Sequence, residues 1–347
     1  MTRIVLPARD KKMILKASRA AFKPFSYPWA FEFYQLASRQ HWLPVDVSLE
    51  KDMRDWLNLT EPERNLLTQV QLYLANADTD VASNYTEKFL PLFPLPEVRM
   101  MLLAFAAMEA IHTESYAYTL DQLGFPETAY STFLNVPEMY EKHCFVTEER
   151  TENLTDVQKT LLDIAINSVF GEGLQLFSAF VLILSFDLRG LMRGLCDLTQ
   201  YIARDEDLHC KGMTRLFTTL ATESNSELTP ELIELINNAG RRAVELEDHF
   251  IDLAFALGDL PNITAAELKS YVRYIANKRL AEVGLSLLYP GIDANPIPWT
   301  DSIFGASVKT NNFERTGIEY QRDNLSGSWD KARERRKLYV KESAGGQ

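Results

Sequence analysis

Met108-Glu109-Ala110-Ile111-His112-Thr113-Glu114-Ser115-Tyr116 and Ala203-Arg204-Asp205-Glu206-Asp207-Leu208-His209 carry two copies of one pattern, Glu-x-x-His. On a helix, residues i and i+3 share a face, so each pair can direct a carboxylate and an imidazole at one metal ion. A single copy would carry little weight, and His112 taken alone reads as a core histidine. Two copies, both in strongly helical sequence, ask to be completed. Helical sites for a metal pair use two Glu-x-x-His helices and two further helices that each supply one acid.

Both acids have candidates upstream. The run Leu74-Ala75-Asn76-Ala77-Asp78-Thr79-Asp80-Val81 precedes the first pair and offers Asp78 and Asp80. These two are about 200° apart on a helix, so one faces inward, and spacing alone does not choose. The run Val169-Phe170-Gly171-Glu172-Gly173-Leu174 precedes the second pair and sets Glu172 inside an apolar stretch. A buried carboxylate needs a partner or it takes up a proton, and a metal ion is such a partner. The bland alternative for Glu172 is a helix face turned to water beside two glycines. His41, His143 and His249 lack a Glu three residues earlier. The run Glu245, Glu247, Asp248 and His249 reads as a solvated helix face.

Carboxylates with imidazoles make a hard, oxygen-rich donor set that suits iron or manganese over zinc or copper. No thiolate is present in it, which disfavours an iron–sulfur cluster. Tyr116 stands one turn beyond His112 on the same helix face. A phenol there, beside an oxidised metal pair, can be oxidised to a radical. Its plain alternative is a core tyrosine with a bonded hydroxyl.

The rest of the chain supports an all-α fold. Residues 1–50 hold Pro7, Pro24, Pro28 and Pro44 and read as an arm or short helix over a core. Thr60-Glu61-Pro62-Glu63 is a capping box that opens a helix to about Lys88, broken by the prolines before Pro96. A helix over roughly 96–123 carries the first Glu-x-x-His, and Gly124 and Pro126 end it. A shorter stretch covers roughly 127–147. Thr155-Asp156-Val157-Gln158 opens a helix to about Phe186, and the next, from near Gly190 to about Ala221, carries the second Glu-x-x-His. Thr229-Pro230 and Thr264-Ala265-Ala266-Glu267 open two more, and the chain after Pro290 reads as loop. A helix with one acid followed by a helix with Glu-x-x-His thus occurs twice. No low-complexity linker divides the chain, which favours one domain.

Composition sets the remaining bounds. With 347 residues, 46% hydrophobic and 24% charged, the chain can bury a large core. A net charge of −12 gives no overall basic field for nucleic acid. Cys144, Cys196 and Cys210 are widely spaced and odd in number, as expected of reduced thiols in the cytoplasm. The N-terminus has no apolar signal region, and the run Leu174–Phe186 is too short and too interrupted for a membrane span.

With these residues in view, the sequence resembles the small, radical-generating subunit of class I ribonucleotide reductase. The resemblance runs from His41-Trp42-Leu43-Pro44 through the two quoted motifs to Asn295-Pro296-Ile297-Pro298-Trp299 and Thr310-Asn311-Asn312-Phe313-Glu314. It implies a ferritin-like helical bundle with a dimetal-carboxylate site in a four-helix core. It selects Asp78 over Asp80, and the ligand set becomes Asp78, Glu109, His112, Glu172, Glu206 and His209. Tyr116 falls on the radical tyrosine. Trp42 falls on a tryptophan that relays an electron between metals and surface, and Asp205 on the acid joining it to the histidine ligand, His112. Phe105, Leu176, Phe180 and Ile202 become candidate walls around the radical.

The implied activity is that of a ribonucleoside-diphosphate reductase, an oxidoreductase. The metal pair reacts with an oxygen species, stores a one-electron oxidant, and passes it to a separate large subunit that reduces ribonucleotides. The implied cofactor is a pair of metal ions, iron by the commonest pattern, with Mn/Mn or Mn/Fe in other relatives. The implied partners are the large subunit and a second copy of the chain, with neither nucleic acid nor membrane. The implied organisation is one domain over residues 1–320 and a flexible docking tail over 321–347. In that tail Tyr339 is the relay candidate, with Trp329 and Tyr320 behind it. Residues 331–342 carry six basic and two acidic side chains, 6 − 2 = +4, whereas tails in the family are more often acidic. The competing reading in the same fold is a dimetal oxygenase or desaturase. That reading needs an apolar substrate channel and gives no reason to keep Trp42, Asp205 and Tyr116 together.

Overall fold

The computed structural model describes residues 14–148, 153–224 and 227–306. The tail from 321, with Tyr339, Trp329 and the expected boundary at 320, lies outside them. Among the described residues no strand occurs. The architecture is helix packed on helix.

The central helices start where the capping boxes stand. Helix α3, Glu61–Ser83, begins where the Thr60 backbone N–H donates to Glu63 Oε2 at 2.7 Å. Helix α6, Asp156–Ile164, has the reciprocal box in full, with Thr155 N to Gln158 Oε1 at 3.1 Å and Gln158 N to Thr155 Oγ1 at 3.2 Å. Helix α10, Ala265–Glu282, repeats it with Thr264 and Glu267. Thr229 caps α9, Pro230–Ala254, by accepting from Leu232 N. Each cap satisfies a backbone donor that the helix leaves open and contributes about 1 kcal/mol. Helix α4, Pro96–Gln122, ends in a left-handed Gly124, φ 80°, with Phe125 N bonded back to Leu120 O.

Among the described residues, two α-helices precede the capping box at Thr60, and the first is a short helix of the kind expected within residues 1–50. Helix α1, Pro28–Arg39, lies along α4, and α2, Glu50–Asn58, lies against α8, Arg193–Glu223. The acids of α2 serve a neighbour. Asp52 is buried and accepts from the N–H groups of Gly194 and Leu195, at 3.0 and 2.8 Å, the open N-terminus of α8. The chain after Pro290 is not all loop, since Trp299–Ala306 forms helix α11.

The most apolar region is longer than it reads. Helix α6 runs on through a π-helical segment, Ala165–Gln175, into α7, Leu176–Leu184. Together Asp156–Arg189 make a helical run of 34 residues, long and apolar enough by length and composition to cross a membrane. Its most apolar window is 100% buried within the fold, so burial rather than length marks it as a core helix. The glycines beside Glu172 do not mark a wet face. A Cβ at Gly173 would lie 2.9 Å from the Nε of buried Arg279, which donates to Gly173 O at 2.9 Å.

A second correction concerns the acidic run of α9. Glu245 and His249 face solvent, but Glu247 is fully buried and paired with equally buried Lys142 from α5, Pro137–Thr147. The Lys142 ammonium sits 3.7 Å from the Tyr73 ring centroid and 4.2 Å from that of Phe250. Ser178 donates to the other Glu247 oxygen. Cys144, Cys196 and Cys210 form no disulfide.

Candidate metal centre

Four elements bring six side chains to one point inside the bundle. Asp78 comes from α3, Glu109 and His112 from α4, Glu172 from the π-helical segment, and Glu206 and His209 from α8. None is more than 1% exposed. They fall into two overlapping groups, Asp78–Glu109–His112–Glu206 and Glu109–Glu172–Glu206–His209, each able to hold a cation. Glu109 and Glu206 belong to both.

Both histidines turn Nδ1 inward. His112 Nδ1 lies 3.0 Å from Glu206, 3.2 Å from Glu109 and 3.7 Å from Asp78. His209 Nδ1 lies 2.8 Å from Glu109, 3.5 Å from Glu206 and 3.7 Å from Glu172. The two rings are 6.0 Å apart between centroids. Asp80, the other acid of its run, turns away and pairs with His143 at 2.6 Å.

The electrostatics of this cluster call for cations. Both oxygens of Asp78 and Glu172 Oε2 are buried without a hydrogen-bond partner, and those of Glu206 face the two imidazole nitrogens at 3.0 and 3.5 Å. Burial, with Glu109 and Glu206 alongside, pushes the Asp78 carboxyl well above the carboxylate range. Burial likewise raises Glu172, to about 7. Burial alone would lower both imidazoles, yet the facing acids, Glu109 first, hold them well above their usual value. Protons shared among four acids and two histidines are a poor substitute for metal charge at the centre of a bundle. The donor set, oxygen-rich with two nitrogens, fits two hard metal ions.

One side of the cluster leads outward. His112 Nε2 faces Asp205 Oδ2 at 3.4 Å, and the same oxygen accepts the indole N–H of Trp42 at 2.7 Å. Arg204 grips the other oxygen, Oδ1, through Nε and Nη2 at 3.0 and 2.8 Å. Trp42 and Asp205 line a groove of about 420 Å³ that also takes in Tyr34, His41, Leu103 and Ile111. The ring of Tyr201 stands 5.4 Å from that of Trp42.

Tyr116 is buried, and Asp78 is the foremost of the acids facing it. Burial first and these acids second hold its phenol well above the ordinary value, so it is neutral. Phe105, Leu176, Phe180 and Ile202 are all buried. Phe105 packs on the His209 ring at 4.5 Å, and Gly212 makes room for it, since a Cβ there would lie 2.8 Å from the Phe105 ring.

Two contacts escape a reading by motif. Arg204 lies inside the second motif but shows its purpose only once Asp205 is in place. Tyr85 donates its hydroxyl to Glu172 Oε1 at 2.6 Å. Seven residues after Asp78 is two helical turns, and that return to the same face was the available signal.

The sequence profile of the family "Ribonucleotide reductase, small chain" matches residues 19–296. A probable ribonucleoside-diphosphate reductase small subunit of Invertebrate iridescent virus 3 is 37% identical, over 91% of this chain and 88% of its own length. The ribonucleoside-diphosphate reductase subunit beta of Chlamydia pneumoniae is 30% identical, over 86% of this chain and 89% of its own. Among solved structures, the ribonucleotide reductase R2 subunit of Clostridium botulinum superposes with a TM-score of 0.74 at 26% identity, covering 80% of this chain and 89% of that one. The dimanganese(II) NrdF of Streptococcus sanguinis shares the fold, with a TM-score of 0.69 at 20% identity, over 81% of this chain and 99% of that one. Since the profile takes in the helices that carry all six inward-facing acids and histidines, the chain belongs to the ribonucleotide reductase small chain family.

Proposed function

We propose that this chain works as the radical-generating small subunit of a class I ribonucleoside-diphosphate reductase and that Asp78, Glu109, His112, Glu172, Glu206 and His209 hold its two metals. The observation that carries the reading is the buried cluster itself, with two inward Nδ1 atoms among four buried acids. When bound, the metal pair supplies the oxidising power by reacting with an oxygen species.

The protein's own groups then do the following. Tyr116 gives up one electron, and its hydroxyl proton passes toward Asp78, the foremost acid facing it. The stored hole leaves through His112, Asp205 and Trp42, with Asp205 Oδ2 able to take the indole proton. Arg204 keeps Asp205 aimed at both neighbours. The apolar walls keep water from the oxidised phenol. Trp42 delivers the hole toward a large subunit, where ribonucleotide reduction takes place. A tail over 321–347, with Tyr339 as its relay, extends that path. The working assembly pairs two copies of this chain with the large subunit, in the cytoplasm. Iron is our first choice of metal, with Mn/Fe and Mn/Mn as alternatives. Trp42 joined to His112 through Asp205 has no use in an oxygenase or desaturase.

The test loads apo-protein with Fe(II) or Mn(II), adds an oxidant, and records metal content with the EPR spectrum. About two metals per chain with a tyrosyl doublet that disappears in Tyr116→Phe supports the reading. Retained activity in Tyr116→Phe places the oxidant on the metals. Full occupancy without a radical or a mixed-valent signal sinks the assignment.

A further inference from the structure

Glu172 differs from the other acids of the cluster in one respect. One of its oxygens already has a strong donor, since Tyr85 Oη donates to Oε1 at 2.6 Å, while Oε2 has no hydrogen-bond partner. A tyrosine that only filled the core would be expected to bond a backbone carbonyl. This one takes one of two oxygens on a side chain that faces a metal position.

Tyr85 is enclosed by aromatic neighbours. It is 1% exposed and stands edge-on to His209 at 5.9 Å and to Phe105 at 5.8 Å, while Phe105 itself lies on His209. Tyr85 belongs to a π-helical segment, Asn84–Phe89, that continues α3, and Glu172 belongs to another, Ala165–Gln175. The two segments are pinned together where Asn84 Nδ2 donates to Asn167 Oδ1 at 2.8 Å. Turns of this wider kind are uncommon and tend to mark functional positions. Tyr116, on the opposite side of the cluster, has Asp78 as the foremost acid facing its hydroxyl. The two phenols thus serve different ends of the site.

We propose that Tyr85 is a positioning residue: by donating to Glu172 Oε1, the oxygen that lies 3.7 Å from His209 Nδ1, it holds Glu172 to one-oxygen ligation and so withholds one donor atom from the metal beside His209. A carboxylate can give a metal one oxygen or two, and coordination number follows that choice. Without the phenol hydroxyl, Glu172 is free to chelate, and that metal gains a ligand. The proposal rests on the metal reading above, and its test separates the two.

The experiment uses the full chain, wild type and Tyr85→Phe, loaded with Co(II) without oxygen. It reads bound cobalt per chain and the visible absorption per bound cobalt. Co(II) bands weaken as coordination number rises, so the spectrum reports ligand count with no turnover and no radical. The expected result is about two Co(II) per chain in both proteins, with weaker and shifted bands in Tyr85→Phe. A folding defect would show as lost cobalt. In that case 3-fluorotyrosine at position 85 keeps the ring, strengthens the donor, and is expected to move the bands while cobalt stays bound. Two cobalt per chain with superimposable spectra in the replacement overturns the proposal and leaves the metal site standing. Fewer than two in the wild type overturns the metal reading, and this one with it.

Discussion

The Trp42 indole N–H and the Asp205 carboxylate are joined by a 2.7 Å hydrogen bond, and the same Asp205 oxygen faces His112 Nε2. One acid therefore touches both a fully buried histidine and the tryptophan beside a surface groove. Asp205→Asn keeps the volume and removes the charge. The variant should bind metal and form its radical but lose about 10- to 100-fold in turnover with the large subunit, the usual cost of disturbing a partner of a metal-bound histidine. Radical yield by EPR set against turnover separates the two effects. A fall in radical yield as steep as the fall in turnover would place Asp205 in site assembly instead.

Lys142 and Glu247 form a buried ion pair well inside the helices that frame the site. Burial lowers the lysine's pKa and raises that of the glutamate, each offset by the other's charge. Removing one partner strands the other. Lys142→Ala should cost about 3–5 kcal/mol in denaturant unfolding of the apo-protein, whereas Lys142→Met with Glu247→Met should recover most of it. A single variant within 1 kcal/mol of wild type, on the order of a surface change, would contradict this.

Glu63 closes the cap of α3 and also accepts from Arg189. Burial opposes its ionisation, but the Thr60 N–H and Arg189 outweigh burial and hold its pKa below the ordinary glutamate value. The folded pKa is the depressed one, so the stabilisation is present above that ordinary value and is lost as pH falls through the folded one. Glu63→Gln should lower stability at neutral pH by about 2 kcal/mol, the scale of a charge-assisted hydrogen bond. It should also lessen the acid sensitivity below the ordinary value. Parallel unfolding curves for the two proteins across that pH range would argue against it.

Gly212→Ala probes the packing behind His209. Its Cβ would lie 2.8 Å from the Phe105 ring, which already rests on His209. The ring must shift against the metal-facing histidine. A cost of about 1–3 kcal/mol in the apo-protein is expected, with weaker retention of metal in a chelator competition. Unchanged retention would mean that Phe105 escapes in another direction.

Much of the site can be read from spacing, because helical geometry is local. Glu109 with His112, and Glu206 with His209, need only one turn of helix each. Asp78 against Asp80 is a question of which face turns inward, and it takes the packing of α3 on α4 to answer it. The capping boxes are equally local. What sequence hides is whatever depends on a neighbour distant along the chain. Asp52 looks like a surface acid until α8 brings its open N-terminus against it. Glu247 sits in an acidic run and only Lys142, from another helix, turns it inward. Tyr85 stands two turns beyond Asp78, but no compositional mark reveals the π-helical segments that bring Glu172 beside it.

The near-complete enclosure of the six acids and histidines has a consequence for how the protein acquires its metal. An ion cannot reach a site closed on every side without some opening of the helices, and the apo cluster must release its shared protons as the ion enters. Exchange then depends on how often the bundle opens as well as on how tightly the ion is held. The supply of each metal during those openings then weighs alongside the preference of the donor set in selecting the occupant.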